Sequence, residues 1–485
     1  MTSQAVRPNC VSFSRFDQIF RFICCLMAVL CLPLLTPDTL FASDLSSASG
    51  TIAVDAYDGL AVTADRSGLV RIYDVTIPDH PKQLSKFMIP RNLTGIALAG
   101  NVLLVSGQGG VEILDISNTK APQMKGHVEL DGEATVVKAA GNLGYTAFGS
   151  TVVLFNIANG AVLDQRNYSQ LHVNDLALSE DSVYLVSSDL ETGLELRKLS
   201  IQANLSEPLA SWKSGQMLPS SSARTSIYAA DKMIYVGGVA ATGANQSPGL
   251  AVMQEMGNSF KVAGQSEPID SGIVRPSGNG LLAFTGSGND RAKGNRVGIL
   301  DISNPSSTDR LLQSIKAVGP AYDLVFHGEF GYVAAGEAGL QVVTLASPNG
   351  TKKLPVISLD TGSIAETPLT GSLMRLTADV SAGDQVRQVD FYVDGKKVAS
   401  DGSYPFEYRF FQDNASSSRS LLVSSCAEDI DGNVNCTAPK ELNPKAGNQL
   451  RVISVAPAAG TRTQRTSKFA VSAQFSAALD TTSVS

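Results

Sequence analysis

The segment Arg296-Val297-Gly298-Ile299-Leu300-Asp301-Ile302-Ser303-Asn304-Pro305 decides the fold, because variants of it recur along the chain. An alternating apolar run starts at a glycine or polar residue in Gly68-LVRIYDV, Gly110-VEILDIS, Ser150-TVVLFNI, Gly193-LELRKLS, Gly249-LAVMQEM, Arg296-VGILDIS and Gly339-LQVVTLA. Successive starts lie 42, 40, 43, 56, 47 and 43 residues apart. Upstream of each run stands a hairpin signal, in AYDGLAVTA, AGNVLLVS, AGNLGYTA, SEDSVYLVS, AADKMIYVG, SGNGLLAFTG and HGEFGYVAAG, where turn residues precede an apolar stretch. The two markers agree on the period.

Each unit reads as strand, tight turn, strand, short loop, strand, and a looser fourth strand such as QLSKFMI or LLQSIKAV. One such unit cannot bury both faces of its small sheet, whereas radial packing of many units covers the faces and leaves only short edges. The expected fold class is all-β: a seven-bladed β-propeller over 51–351, with six or eight blades as alternatives and a β-solenoid or sandwich as the competing architecture. The period fits the roughly 40 to 50 residues of a propeller repeat. The pattern weakens between about 190 and 265, where ELRKLS and AVMQEM lack the aspartate.

The strings Val70-Arg71-Ile72-Tyr73-Asp74-Val75-Thr76 and Val297 to Pro305 resemble the LVIVD repeat of bacterial exported proteins. That resemblance implies a propeller at the cell surface or in the periplasm and no particular chemistry. Asp74, Asp115 and Asp301 hold one phase in their units and stand before Ser, Thr or Asn, so an Asx turn at a strand end accounts for them without catalysis or metal.

From residue 352 the vocabulary changes. Segments LMRLTADV, VRQVDFYVDG, KKVAS, FEYRF, SLLVSSCAED and GNVNCTAP alternate in polarity between Asp-Gly and Ser-Tyr-Pro turns, as an antiparallel sandwich requires. The run Val389-Asp390-Phe391-Tyr392-Val393-Asp394-Gly395, with Tyr404-Pro405-Phe406 and Ala427 to Asn433, looks like the bacterial Ig-like domains of surface proteins. Residues 352–445 are expected to form that immunoglobulin-like β-sandwich. Residues 450–485 resemble the first strands of a second, incomplete one, so the chain is expected to continue into further Ig-like modules.

A three-residue loop at Ile430-Asp431-Gly432 pairs Asp429 with Asn433, and stepping outward three places pairs Cys426 with Cys436. Cysteines opposite each other on adjacent strands are close enough to bridge, so a disulfide Cys426–Cys436 is expected. The same hairpin opens like a calcium loop, Asp429-Ile430-Asp431-Gly432-Asn433, but its twelfth position is Lys440 where such a loop needs a bidentate Glu. An Asp-Gly turn explains it.

The first 42 residues read as a secretory signal peptide: Arg7, Arg15 and Arg21, then the apolar Phe22 to Leu35, shorter than a span of about 20 residues and broken by Pro33 and Pro37. Cleavage is expected after Ala42 or Ala48. The mature chain then has no transmembrane segment, retains only Cys426 and Cys436 of six cysteines, and belongs outside the cell, on its surface or in the periplasm.

Lys+Arg 38 against Asp+Glu 45, with no run of like charge, excludes a nucleic-acid partner. Four histidines without metal-ligand spacing and one tryptophan argue against a metal or cofactor, and neither is expected. Segments entering the innermost strands are LTGIAL, ATVVKA, VNDLAL, TSIYAA, GIVRPS and AYDLVF, which nominate Asn174, Asp175, Arg275, Tyr322 and Asp323 for the propeller mouth. No catalytic set is expected. The reading is an exported scaffold that binds a protein or glycan at the cell envelope or beyond; the alternative is a propeller enzyme acting on an extracellular carbohydrate, lactone or small metabolite. Two carboxylates pointing into one deep volume would favour the enzyme.

Overall fold

The computed structural model describes residues 50–168, 172–179, 181–189, 193–201, 205, 208–214, 217–219, 224–241, 249–265, 271–278, 280–286, 295–345, 354–361, 373–381, 386–411, 420–430 and 432–442, and the backbone of 452–456 and 472–475. The expected signal peptide lies outside them. No helix occurs among the described residues, and none is long and apolar enough to cross a membrane.

Residues 51–344 form seven antiparallel sheets in chain order. The first is Thr51–Tyr57, Leu60–Asp65, Leu69–Asp74 and Lys82–Met88. Its second and third strands pair Leu60 with Asp74 through Ala64 with Val70, so the alternating motif residues Val70 and Ile72 turn inward and are fully buried. In all seven units one hydrogen bond closes this middle hairpin: Val75 N to Gly59 O, Ile116 to Asn101, Ile157 to Asn142, Ile201 to Asp181, Glu255 to Lys232, Ile302 to Gly280 and Leu345 to Glu329. The drifted fourth and fifth units keep it although their sequences lost the aspartate.

The innermost strands are Thr51–Tyr57, Leu93–Ala99, Val136–Ala140, His172–Ser179, Ser226–Ala230, Ser271–Gly278 and Asp323–His327. Each touches the next, and the seventh touches the first. An apolar cluster fills every gap between neighbouring sheets, from Ile52, Ile72, Leu93 and Leu103 between the first two to Val54, Ala61, Tyr332 and Ala334 between the seventh and the first. This is how thin sheets obtain two covered faces, and the all-β propeller follows. Thr51 N also donates to Gly336 O at 2.9 Å and Gly336 N returns to Thr51 O at 3.0 Å, which fastens the chain's first described strand to its last propeller unit.

Three sheets depart from the four-strand unit. In the second, Val102–Asp115 is one continuous strand between Leu93–Ala99 and Gln123–Glu133, which leaves three strands. The fifth gains Met217–Pro219 as an extra strand, consistent with the long spacing in that region. The seventh has three strands among the described residues, because the next described strand, Val356–Asp360, pairs with Leu373–Ser381 in the sandwich instead. Elsewhere the sheets are filled by aromatic cover: Phe155 lies over Gly144 and Phe284 over Gly298, so that a Cβ on either glycine would come within 2.2 Å of the ring.

The sandwich packs Val356–Asp360, Leu373–Ser381 and Phe406–Phe411 against Lys396–Asp401, Val386–Val393, Leu421–Asp429 and Val434–Cys436, with Lys440–Leu442 also pairing on Leu421–Asp429. Leu376, Val389, Phe391, Val423 and Ala427 make its core. Cys426 and Cys436 face each other in the register and are bonded. Asp429 accepts the Asn433 backbone N–H at 2.8 Å and side-chain amide at 2.8 Å, a clamp across the Asp-Gly turn. Since the bridge closes a separation of 10 residues, reduction is expected to cost the sandwich about 3 kcal/mol or less. Denaturant melts with and without reductant measure it, and equal midpoints would refute the contribution.

The sandwich sits across one end of the ring. That end is formed by the turns between first and second strands, and five of the seven touch it. Tyr57 joins the sandwich core and Gly141 packs on Leu373. Arg375 lies 3.6 Å from Asp181, the Tyr404 hydroxyl donates to Asp231 at 3.1 Å, and Gly328 N donates to Gly402 O at 2.7 Å. Arg387 bridges Glu329 and Glu428 beside them.

His327 is held under Gly402 at this contact, and burial pushes its pKa down to about 4 against the weaker pull of Asp58. A folded pKa below the unfolded value near 6.5 means the native state binds fewer protons. The stability this contributes is fully present above about pH 6.5 and is lost as pH falls from there toward 4, at most about 3 kcal/mol. Asp401, pushed by burial up to about 7, and Asp55, up to about 6, work with the opposite sign. The expected result is therefore a difference: His327→Gln flattens the acid limb of the stability profile relative to wild type, and parallel limbs would refute it.

Candidate binding site in the central channel

The channel inside the ring is lined by the innermost strands, whose side chains alternate between the lumen and the packed faces. Of the five residues nominated from sequence, three meet there. Arg275 places one guanidinium nitrogen 3.0 Å from Asp323 Oδ1 and the other 3.6 Å from Asp175 Oδ2, while donating to Val274 O at 2.9 Å. Asn174 instead accepts the Ser188 hydroxyl at 2.7 Å, next to an irregularity in its strand. Tyr322 packs against the core between the first two sheets.

Two further charges join the three. Asp55, on the first inner strand, and Lys138, on the third, are half-buried and feel the same field as Arg275, Asp175 and Asp323. Lys138 stood in plain view in ATVVKA, as the one charged residue of an apolar strand three places before a Gly-Asn turn. Asp55 occupies the same place before Asp58-Gly59. Inner-strand phase was the available signal for both.

The carboxylates are built into the ring. Asp55 accepts the N–H of Ala56 at 2.9 Å and of Leu98, in the next sheet, at 2.7 Å. Asp175 accepts Leu176 at 2.9 Å and Ile227, again in the next sheet, at 3.1 Å. Asp323 accepts Leu324 at 3.0 Å and lies 3.5 Å from Val54 N of the first sheet. A short carboxylate thus ties an inner strand to its neighbour at three places around the ring.

Low solvent access sets the protonation here. Burial pushes Asp55 up to about 6, although the Leu98 N–H and Lys138 pull it down. Burial, seconded by Arg275, holds Lys138 below the usual lysine value. Burial also opposes the charge on Arg275, but Asp323, Asp175 and Asp55 together outweigh it and raise its pKa. Mixed charges in a confined lumen are the material of polar-ligand recognition and equally of a structural ion network.

The remaining candidates are structural. Asp74 Oδ1 accepts Thr76 N at 3.0 Å and its hydroxyl at 2.7 Å, Asp115 accepts Ser117 N at 2.8 Å, and Asp301 accepts Ser303 N at 3.0 Å; these bonds lower all three pKa values. They are Asx turns. His127 and Arg91 share Glu112 on the second sheet, and His80 pairs with Asp79 on the surface. Among the described residues no group of His, Cys, Asp and Glu is arranged to hold a metal.

Comparison with known proteins adds family-level matches. Residues 90–129 and 292–309 match the LVIVD repeat, and residues 355–423 match the bacterial Ig domain. No curated protein matches the sequence. Solved structures similar to it include the computationally designed Ika8 protein (14% identity, 61% of this chain and 96% of that one, TM-score 0.43). Others are the WD40 β-propeller domain of Doa1 (12%, 61% and 92%, 0.47) and the β-propeller domain of Cps50 (Swd1) from Myceliophteria thermophila (10%, 61% and 97%, 0.46). This chain carries LVIVD repeats and a bacterial Ig domain on an all-β propeller scaffold.

Proposed function

We propose that the protein is an exported binding scaffold at the cell surface or in the periplasm, in which the propeller presents the ligand-binding surface and the Ig-like module acts as spacer and plug. The observation that carries this reading is the docking of the sandwich across one end of the ring. Among the described residues, it leaves the opposite end and the rim as the ring's accessible surface. The channel carboxylates support it, because their oxygens are engaged by backbone N–H groups and Arg275 rather than held ready for a substrate. LVIVD repeats and bacterial Ig domains are typical of extracellular proteins, which favours a protein or glycan of the envelope or its surroundings as the partner.

One observation favours the enzyme alternative: Asp55 keeps its proton up to about pH 6 in a lumen that also holds Asp175 and Asp323, and unlike carboxyls in one site are the basis of acid–base pairs. A single experiment separates the two. Immobilised full-length protein is exposed to glycan arrays and envelope extracts, while carbohydrate and lactone hydrolysis is assayed in parallel. Saturable retention of a defined protein or glycan without turnover is the expected result. Turnover that disappears in Asp55→Asn, with nothing retained, would overturn the scaffold reading.

A further inference from the structure

We propose that the channel takes a small carboxylate, or the carboxylate end of a larger ligand, on the ammonium group of Lys138. The inference rests on reading the ring as a binding platform and names the chemistry of one site on it.

Five charged side chains from five different inner strands share the lumen, and their hydrogen bonds are distributed unequally. Asp55 and Asp175 each accept two backbone N–H groups, one per oxygen. Asp323 accepts Leu324 N and Arg275, and Arg275 is spent on Asp323, Val274 O and the nearby Asp175. Lys138 alone has no hydrogen bond or ion pair among the described residues, although an ammonium brings three donors. What the lumen lacks is therefore acceptor oxygen at Lys138. A cationic ligand would meet carboxylates already engaged and two fixed positive charges; a carboxylate meets an unengaged cation with a second, Arg275, in range of its field. The depressed pKa of Lys138, caused by burial and then by Arg275, has the sign that a missing anion produces.

The neighbours also set a pH dependence. Lys138 faces Asp55, Asp175 and Asp323 as negative groups and Arg275 as a positive one. Protonation of Asp55, near pH 6, removes one negative charge from the lumen and tightens binding of an anion. Acetate is the probe, at constant ionic strength held with chloride, and the reading is the melting temperature of the full chain. Acetate is expected to raise it saturably at pH 5.5 and about fivefold more weakly at pH 8. Lys138→Met removes the response, Lys125→Met on the outer strand keeps it, and choline has no effect. Should Lys138→Met fold poorly, Asp55→Asn provides the second measurement: the response persists and loses its pH dependence. An equal acetate response in wild type and Lys138→Met, or no response in wild type, overturns the proposal. Partner retention on the outer face is read separately, so a failed acetate test leaves the scaffold reading standing and a failed retention test leaves this one standing.

Discussion

Arg275→Ala is expected to destabilise the ring by about 3–5 kcal/mol. The guanidinium is only 18% exposed and lies between Asp323 and Asp175, whose side chains are 14% and 7% exposed. Removing it leaves two desolvated carboxylates facing each other without a cation in contact. Both accept a backbone N–H of the neighbouring sheet, Asp175 from Ile227 at 3.1 Å and Asp323 from Val54 at 3.5 Å, so neither can swing out to water without breaking an inter-sheet tie. At about 2–4 °C per kcal/mol for a domain of this size, the melting temperature should fall by about 10 °C. Arg275→Ala combined with Asp323→Asn should recover part of the loss, because the uncompensated charge goes with its partner, and the double-mutant cycle reports the coupling. A loss under about 1 kcal/mol would mean that channel water screens the cluster and that it holds nothing together.

Gly402→Val should release the sandwich from the ring. A Cβ at Gly402 would lie 2.4–2.5 Å from three atoms of the His327 ring. The two backbones cannot simply draw apart to make room, because Gly328 N–H···O=C Gly402 at 2.7 Å and Ser403 Oγ–H···O=C Phe326 at 2.5 Å clamp them together on both sides of His327. Overpacking of this kind costs about 1–3 kcal/mol and occasionally more. Here the cost falls on an interface of separate contacts rather than on a single core. The expected outcome is two calorimetric transitions where wild type shows one, with a larger radius of gyration by small-angle scattering. One transition at the wild-type temperature and an unchanged radius would sink the claim that this contact holds the plug in place.

The repeat was legible because a propeller writes itself locally. Alternation in LVRIYDV and VGILDIS fixes which side chains enter the gap between sheets, and Asp74, Asp115 and Asp301 mark the strand ends through bonds two residues long. The Cys426–Cys436 register was legible for the same reason, since one hairpin carries both partners. Asp175, Arg275 and Asp323 could be nominated from strand phase. Lys138 and Asp55 have that phase too, but nothing within a few residues distinguishes a lumen charge from one that reaches the rim.

Local alternation and turn chemistry thus determined by themselves that the chain is a series of small antiparallel sheets followed by a sandwich, because those interactions span at most one hairpin. Ring closure decided the rest. Asp55, Lys138, Asp175, Arg275 and Asp323 come from strands up to about 270 residues apart, and only the curvature of packed sheets brings their charges within range of one another. The same holds for the plug: Gly402 and His327 are unremarkable in their own segments, and their meeting depends on which end of the ring the sandwich covers, a choice made by contacts with five separate turns.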